Sequence, residues 1–70
     1  MTIGKRINIE RMKKGLTLKE LSDKSNISSS TINSWIYHGS HPDIYLLSDV
    51  ADVLGLSLDY LAGRELKNGK

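Results

Sequence analysis

Apolar residues recur along this chain at helical spacing, in short stretches separated by residues that start and stop helices. Thr17, followed three positions later by Glu20, has the form of a capping box. In that motif the hydroxyl accepts a first-turn amide while the carboxylate reaches back to the cap residue's own N–H. Leu16 and Leu21 stand where a hydrophobic staple closes around such a cap. The same start recurs at Ser28, between Ile27 and Ile32, and at Ser57, between Leu56 and Leu61. Three short helices are therefore predicted to begin near residues 18, 29 and 58. Upstream, residues 2–14 lack proline and hold Ile3 and Ile7 four apart, with Gly15 as a C-terminal stop. Downstream, Asp43 follows the single proline and can cap a helix carrying Leu46, Leu47, Val50, Ala51 and Leu54 on one side, ended by Gly55. No stretch offers the alternation of a strand or an Asn-Gly hairpin. The predicted fold is all-α: a compact five-helix bundle over residues 1–63, with 64–70 (RELKNGK) a polar tail.

Residues 17–37 fit a more specific unit, two helices held at a steep angle by a tight turn. The first helix needs a small residue where it approaches the second, and Ser22 fits. The turn needs a residue that accepts the left-handed region, which Asn26 does at greater cost than glycine. Ile27, Ile32 and Trp35 have the spacing to lock the second helix against the core. That leaves Ser28, Ser29, Ser30, Asn33 and Ser34, all short and polar, facing outward.

Composition narrows the function classes. At 39% hydrophobic and 26% charged, 70 residues suffice for one globular domain but leave little room for a second. The absence of cysteine excludes disulfides, thiolate metal sites and cysteine catalysis, and suits a reducing cytoplasm. No apolar run approaches the roughly 20 residues of a membrane span, and no signal-peptide core follows Lys5 and Arg6. A cytoplasmic protein is expected. The overall charge of +2 hides a strong polarity. Lys5, Arg6, Arg11, Lys13, Lys14, Lys19 and Lys24 crowd the first 24 residues, whereas residues 25–63 hold Asp43, Asp49, Asp52 and Asp59 and neither lysine nor arginine. Such a division points one side of the molecule at a polyanion, or simply solvates it.

Taken in order, I-G-K-R-I at 3–7, R-M-K-K-G-L-T at 11–17, E-L-S-D-K-S-N-I-S-S-S-T-I-N-S-W at 20–35, G-S-H-P at 39–42 and D-V-A-D-V-L-G-L-S-L-D-Y-L-A-G at 49–63 resemble the lambda-repressor-like, Cro-like (XRE-type) helix-turn-helix family. The resemblance implies a five-helix domain, often dimeric, that represses transcription by occupying an operator in double-stranded DNA. Its third helix would lie in the major groove with its first turn at the base edges. Carried over position by position, Ser29, Ser30 and Ser34 are the principal base-reading positions, with Ser28 and Asn33 beside them. Amides around Thr17 and Leu18 would take a phosphate, as helix N-termini do, and Tyr37 and His38 would form a second anchor. Lys13, Lys14 and Lys19 are candidates for the phosphate backbone or plain surface charges. Ser22 and Asn26 replace the family's usual alanine and glycine, and the 37–41 loop is one residue longer than in some relatives. Ile36 stands where the family often has a glutamate paired with the arginine matching Arg11. Arg11 is thereby freed for a phosphate or for another partner. Leu58, Tyr60, Leu61 and the tail are the expected homodimer surface, the alternative being that they close the core.

The reading head is unusual in lacking arginine, lysine and glutamine, the side chains best suited to bidentate base contacts. Asn33 is the one residue on it able to clamp an adenine, so backbone contacts and DNA shape are expected to carry more of the selectivity. Trp35 reads as core rather than as a base-stacking residue. His38, His41 and Asp43 read as a solvated or phosphate-contacting loop rather than a metal site. The serine run at 28–30 has no base or orienting acid placed for nucleophilic chemistry, so neither an enzyme nor a cofactor nor a small-molecule substrate is implied. The rival to a repressor is a protein-interaction or antitoxin-like module that keeps the fold with weak DNA affinity.

Overall fold

The computed structural model describes residues 2–62. It contains α1 (Ile3–Lys13), α2 (Leu18–Ser25), α3 (Ser29–Tyr37), α4 (Ile44–Leu54) and α5 (Leu58–Leu61), and among the described residues there is no strand. The helices start where the caps predicted. Thr17, Ser28, Asp43 and Ser57 each accept a hydrogen bond from the amide three residues on. At Thr17 the box closes in both directions, with Glu20 N–H on the Thr17 hydroxyl at 3.0 Å and Thr17 N–H on the Glu20 carboxylate at 2.8 Å. Thr2 caps α1 in the same way, through Lys5 N–H at 3.1 Å.

Three of the four connections share one design. Gly15, Asn26 and Gly55 adopt left-handed φ angles of 73°, 63° and 69°. The next residue in each case is apolar, and its N–H reaches five residues back: Leu16 to Arg11, Ile27 to Ser22 and Leu56 to Ala51. This satisfies a carbonyl that the helix end leaves free. A hydroxyl cap follows at once. The triplets G-L-T, N-I-S and G-L-S thus end one helix, pack an apolar side chain against the core and start the next within three residues.

One core results. Ile7, Leu21, Ile27, Ile32, Trp35, Ile36, Leu47, Val50, Ala51, Leu54 and Leu61 are all buried. Helix α1 packs on α3, α2 bridges α3 and α4, and α5 closes against α4 and α1. The α1–α3 approach is so close that a Cβ on Gly4 would lie 1.8 Å from the Trp35 carbonyl oxygen. Only glycine fits there, a constraint that periodicity does not reveal. On the opposite flank, buried Glu10 accepts the Tyr60 hydroxyl at 2.9 Å, Lys13 lies 3.5 Å from the same carboxylate, and the Arg6 guanidinium sits 5.3 Å from the Tyr60 ring centre.

These contacts revise the expected dimer surface. Leu61 is fully buried and closes the core, and the Tyr60 hydroxyl is committed to Glu10, although the residue as a whole remains 41% exposed. Of the three side chains, half-buried Leu58 and the outer part of Tyr60 remain available to a second copy. The tail 64–70 lies outside the described residues.

Candidate nucleic-acid interface

Helices α2 and α3 with the turn at Asn26 and Ile27 form a helix-turn-helix. Ser22 contributes more to it than small size. Its hydroxyl donates to the Ile27 carbonyl, and Ser25 donates to the Leu21 carbonyl at 2.7 Å. The turn therefore keeps its shape without the alanine and glycine expected of the family. Ile27, Ile32, Trp35 and Ile36 anchor the unit from below, with Trp35 3% exposed and hence unavailable for stacking on a base.

The outer side of α3 carries short hydroxyls. Ser28, Ser29 and Ser30 are exposed, while Asn33 and Ser34 are half-buried. Ser28 is engaged as the cap, 3.3 Å from Thr31 N–H, and its hydroxyl lies 2.8 Å from that of Thr31 and 3.3 Å from that of Ser30. Ser29 is the first helical residue and faces solvent. Ser34 is tied to the loop that follows α3, its hydroxyl 2.7 Å from that of Ser40. Beyond it, Tyr37 and His38 are exposed at the helix end, with Tyr37 66% open.

The basic residues divide by employment. Arg11 donates from Nη1 to the Leu16 carbonyl at 2.6 Å, and from Nε and Nη2 to the Asn8 side-chain carbonyl at 3.2 and 2.7 Å. The loss of a partner acid at Ile36 is thus answered by α1 and the turn that follows it, and three of the five guanidinium N–H groups are committed. The bond to Leu16 also holds the end of α1 beside the start of α2. Lys13 pairs with Glu10, and a Cβ on Gly55 would lie 3.5 Å from Lys14 Nζ, so that ammonium sits at the electronegative C-terminus of α4. Lys19 pairs with Asp23 at 3.3 Å in full exposure to solvent, a contact weak enough to exchange for a phosphate.

At the α2 N-terminus, Thr17 N–H is occupied by Glu20, so this amide is not open to a phosphate as the sequence suggested. Helix geometry leaves the amides of Leu18 and Lys19 as the free donors of that turn. Among the described residues no group of three or more His, Asp or Glu side chains is placed to hold a metal ion, and no helix is long and apolar enough to cross a membrane.

This fold, with a capped and outward-facing third helix, is that of a helix-turn-helix protein. The chain matches the family described as "Helix-turn-helix" over residues 7–61, and belongs to it. It is 32% identical over 65 residues, 93% of its length, to the HTH-type transcriptional regulator ImmR of Bacillus subtilis (strain 168), of which it covers 51%. It is equally similar, at 32% over 65 residues, to the immunity repressor protein of Bacillus phage phi105, covering 45% of that protein. The chain spans about half the length of these curated relatives. Among solved structures it is similar to SinR, a master regulator for biofilm formation, in a crystal structure with DNA. The TM-score is 0.81 at 34% identity, covering 86% of this chain and 97% of that one. SinR in a SinR/SinI protein complex matches with the same TM-score and identity, the alignment covering 59% of that chain.

Proposed function

We propose that the chain binds double-stranded DNA sequence-specifically and regulates transcription, as a cytoplasmic repressor that occupies a two-fold operator as a homodimer. The observation that carries this reading is the likeness to SinR, solved with DNA, over nearly the whole of that chain. In this reading the N-terminal half of α3 enters the major groove, where Ser29, Ser30, Asn33 and Ser34 meet base edges. The free amides of Leu18 and Lys19, the Lys19 ammonium, Tyr37 and His38 hold phosphates on either side. Arg11 acts by fixing α1 against the start of α2, and its two uncommitted N–H groups remain available to the backbone. Two copies would space their α3 helices by about 34 Å, one turn of DNA.

Selection of bound duplexes from a random library at two salt concentrations tests the reading. A two-fold motif is expected, with affinity falling steeply as salt rises because displaced counterions set that slope. Weak binding without a motif at low salt would reject it. Within the selected motif, Asn33→Ala relaxes base preference more than Ser28→Ala, because the amide alone can make a bidentate contact with adenine. Equal effects would remove Asn33 from the reading set. Light scattering tests the dimer, which a strict monomer both free and on a palindromic duplex would rule out.

A second reading, a protein-interaction or antitoxin-like module, draws on the absence of lysine and arginine from residues 25–63. Tight capture of a protein partner, together with duplex binding that stays weak at low salt, would favour it.

A further inference from the structure

Ser40 lies outside the helix-turn-helix, in the loop after α3, yet it touches the reading helix twice. Gly39, at φ +74°, turns the chain back over the last turn of α3. There Ser40 N–H approaches the Ser34 carbonyl at 3.4 Å, beneath the stronger bond from His38 N–H at 2.9 Å. The two hydroxyls meet at 2.7 Å, a full hydrogen bond in which either oxygen could be the donor. Ser40 is exposed and Ser34 half-buried, so the pair links the loop surface to the side of the helix.

A hydroxyl has one proton, which gives such a pair only two states. If Ser40 donates to Ser34, the Ser34 proton is free and that position offers a donor to its surroundings. If Ser34 donates to Ser40, the Ser40 proton is free and Ser34 offers only lone pairs. A phosphate oxygen is an acceptor without a proton to give. Wherever one meets Ser40, it selects the second state: Ser40 donates to phosphate, Ser34 donates to Ser40, and Ser34 presents an acceptor.

We propose that Ser40 is a specificity-determining positioning residue: through its hydrogen bond it fixes Ser34 as an acceptor, so that Ser34 favours the exocyclic amino groups of adenine or cytosine over guanine or thymine. This inference rests on the DNA-binding reading above. It adds that a residue of the loop sets the polarity of a residue on the helix. The segment from 25 to 63 has no lysine or arginine, so a phosphate held beside Tyr37 and His38 meets uncharged donors there, the exposed Ser40 hydroxyl two residues on among them. In the major groove adenine and cytosine present amino donors, whereas guanine and thymine present carbonyl acceptors at the corresponding edge.

The experiment compares selected duplex libraries for the unaltered chain and for the S40A, S34A and S40T variants, each first checked for an unchanged helical spectrum and melting temperature. The unaltered chain should favour A or C at one position of each half-site by about three- to tenfold, the effect of one well-formed hydrogen bond. S40A should flatten that position to the level of S34A and leave the other positions unchanged, because a released Ser34 hydroxyl can donate or accept. S40T, which keeps the hydroxyl, should preserve the preference. The double variant S34A/S40A should be no flatter than either single one. An S40A profile identical to that of the unaltered chain would overturn the proposal, as would a uniform loss at every position, which marks a phosphate contact alone. Failure of the unaltered chain to select any motif would instead reject the DNA-binding reading itself.

Discussion

The two faces of α3 obey different rules, although they share nine residues. The inner face buries Ile32, Trp35 and Ile36, and the α1 backbone comes so near that no side chain fits at Gly4. Every atom there has a neighbour, so a change of one methyl is felt. The outer face presents Ser29 and Ser30 to solvent and engages Ser28 and Ser34 only with other hydroxyls or with the helix end. Apart from Ser28, which caps the helix, those residues can change with little effect on the fold. A reading helix is useful because its two sides are decoupled in this way: the core holds its position, and the surface is left to choose a partner.

Substitutions along α3 and its partner should therefore form a graded series. Gly4→Ala should have the largest effect, more than about 4 kcal/mol or loss of folding, because its Cβ meets backbone rather than a movable side chain. A thermal melt with cooperative unfolding near that of the unaltered chain would show that α1 can shift away, and the two faces would then differ less than proposed. Ile32→Ala, at a fully buried position, should cost about 2–5 kcal/mol by the same measurement. Ser28→Ala removes the α3 cap and should cost about 1 kcal/mol, intermediate because the residue serves the fold from the exposed side. Ser29→Ala should change stability by less than about 0.5 kcal/mol yet alter the bound sequence in a duplex selection. An equal stability loss at Ser28 and Ser29 would break the distinction between cap and reader.

Much of this arrangement could be read before any coordinates. The caps at Thr17, Ser28, Asp43 and Ser57 are local, since each is a side chain bonding an amide three residues away. The stops at Gly15, Asn26 and Gly55 are equally local. The burial of Trp35 followed from its spacing with Ile32. What escaped the sequence were contacts across distance or across a loop: Gly4 against Trp35, Tyr60 on Glu10 and Ser40 on Ser34. Arg11 is instructive as an intermediate case. Its missing acidic partner was visible at Ile36, but the choice of the Leu16 carbonyl and Asn8 was not, because it depends on how the turn at Gly15 folds back over α1.

The sequence by itself determined the five helices of the described residues, where each begins, most of the core from Ile7 to Leu54, and that α3 carries hydroxyls in place of charge. It could do so because helix ends and helical periodicity are properties of neighbours within five residues. Only the tertiary structure decided which of the exposed candidates are free. It withdrew Leu61 into the core, bound the Tyr60 hydroxyl to a buried carboxylate and joined Ser34 to Ser40. Whether a polar group is available to a partner depends on every other group that can reach it first, and that competition is settled only when the helices have packed.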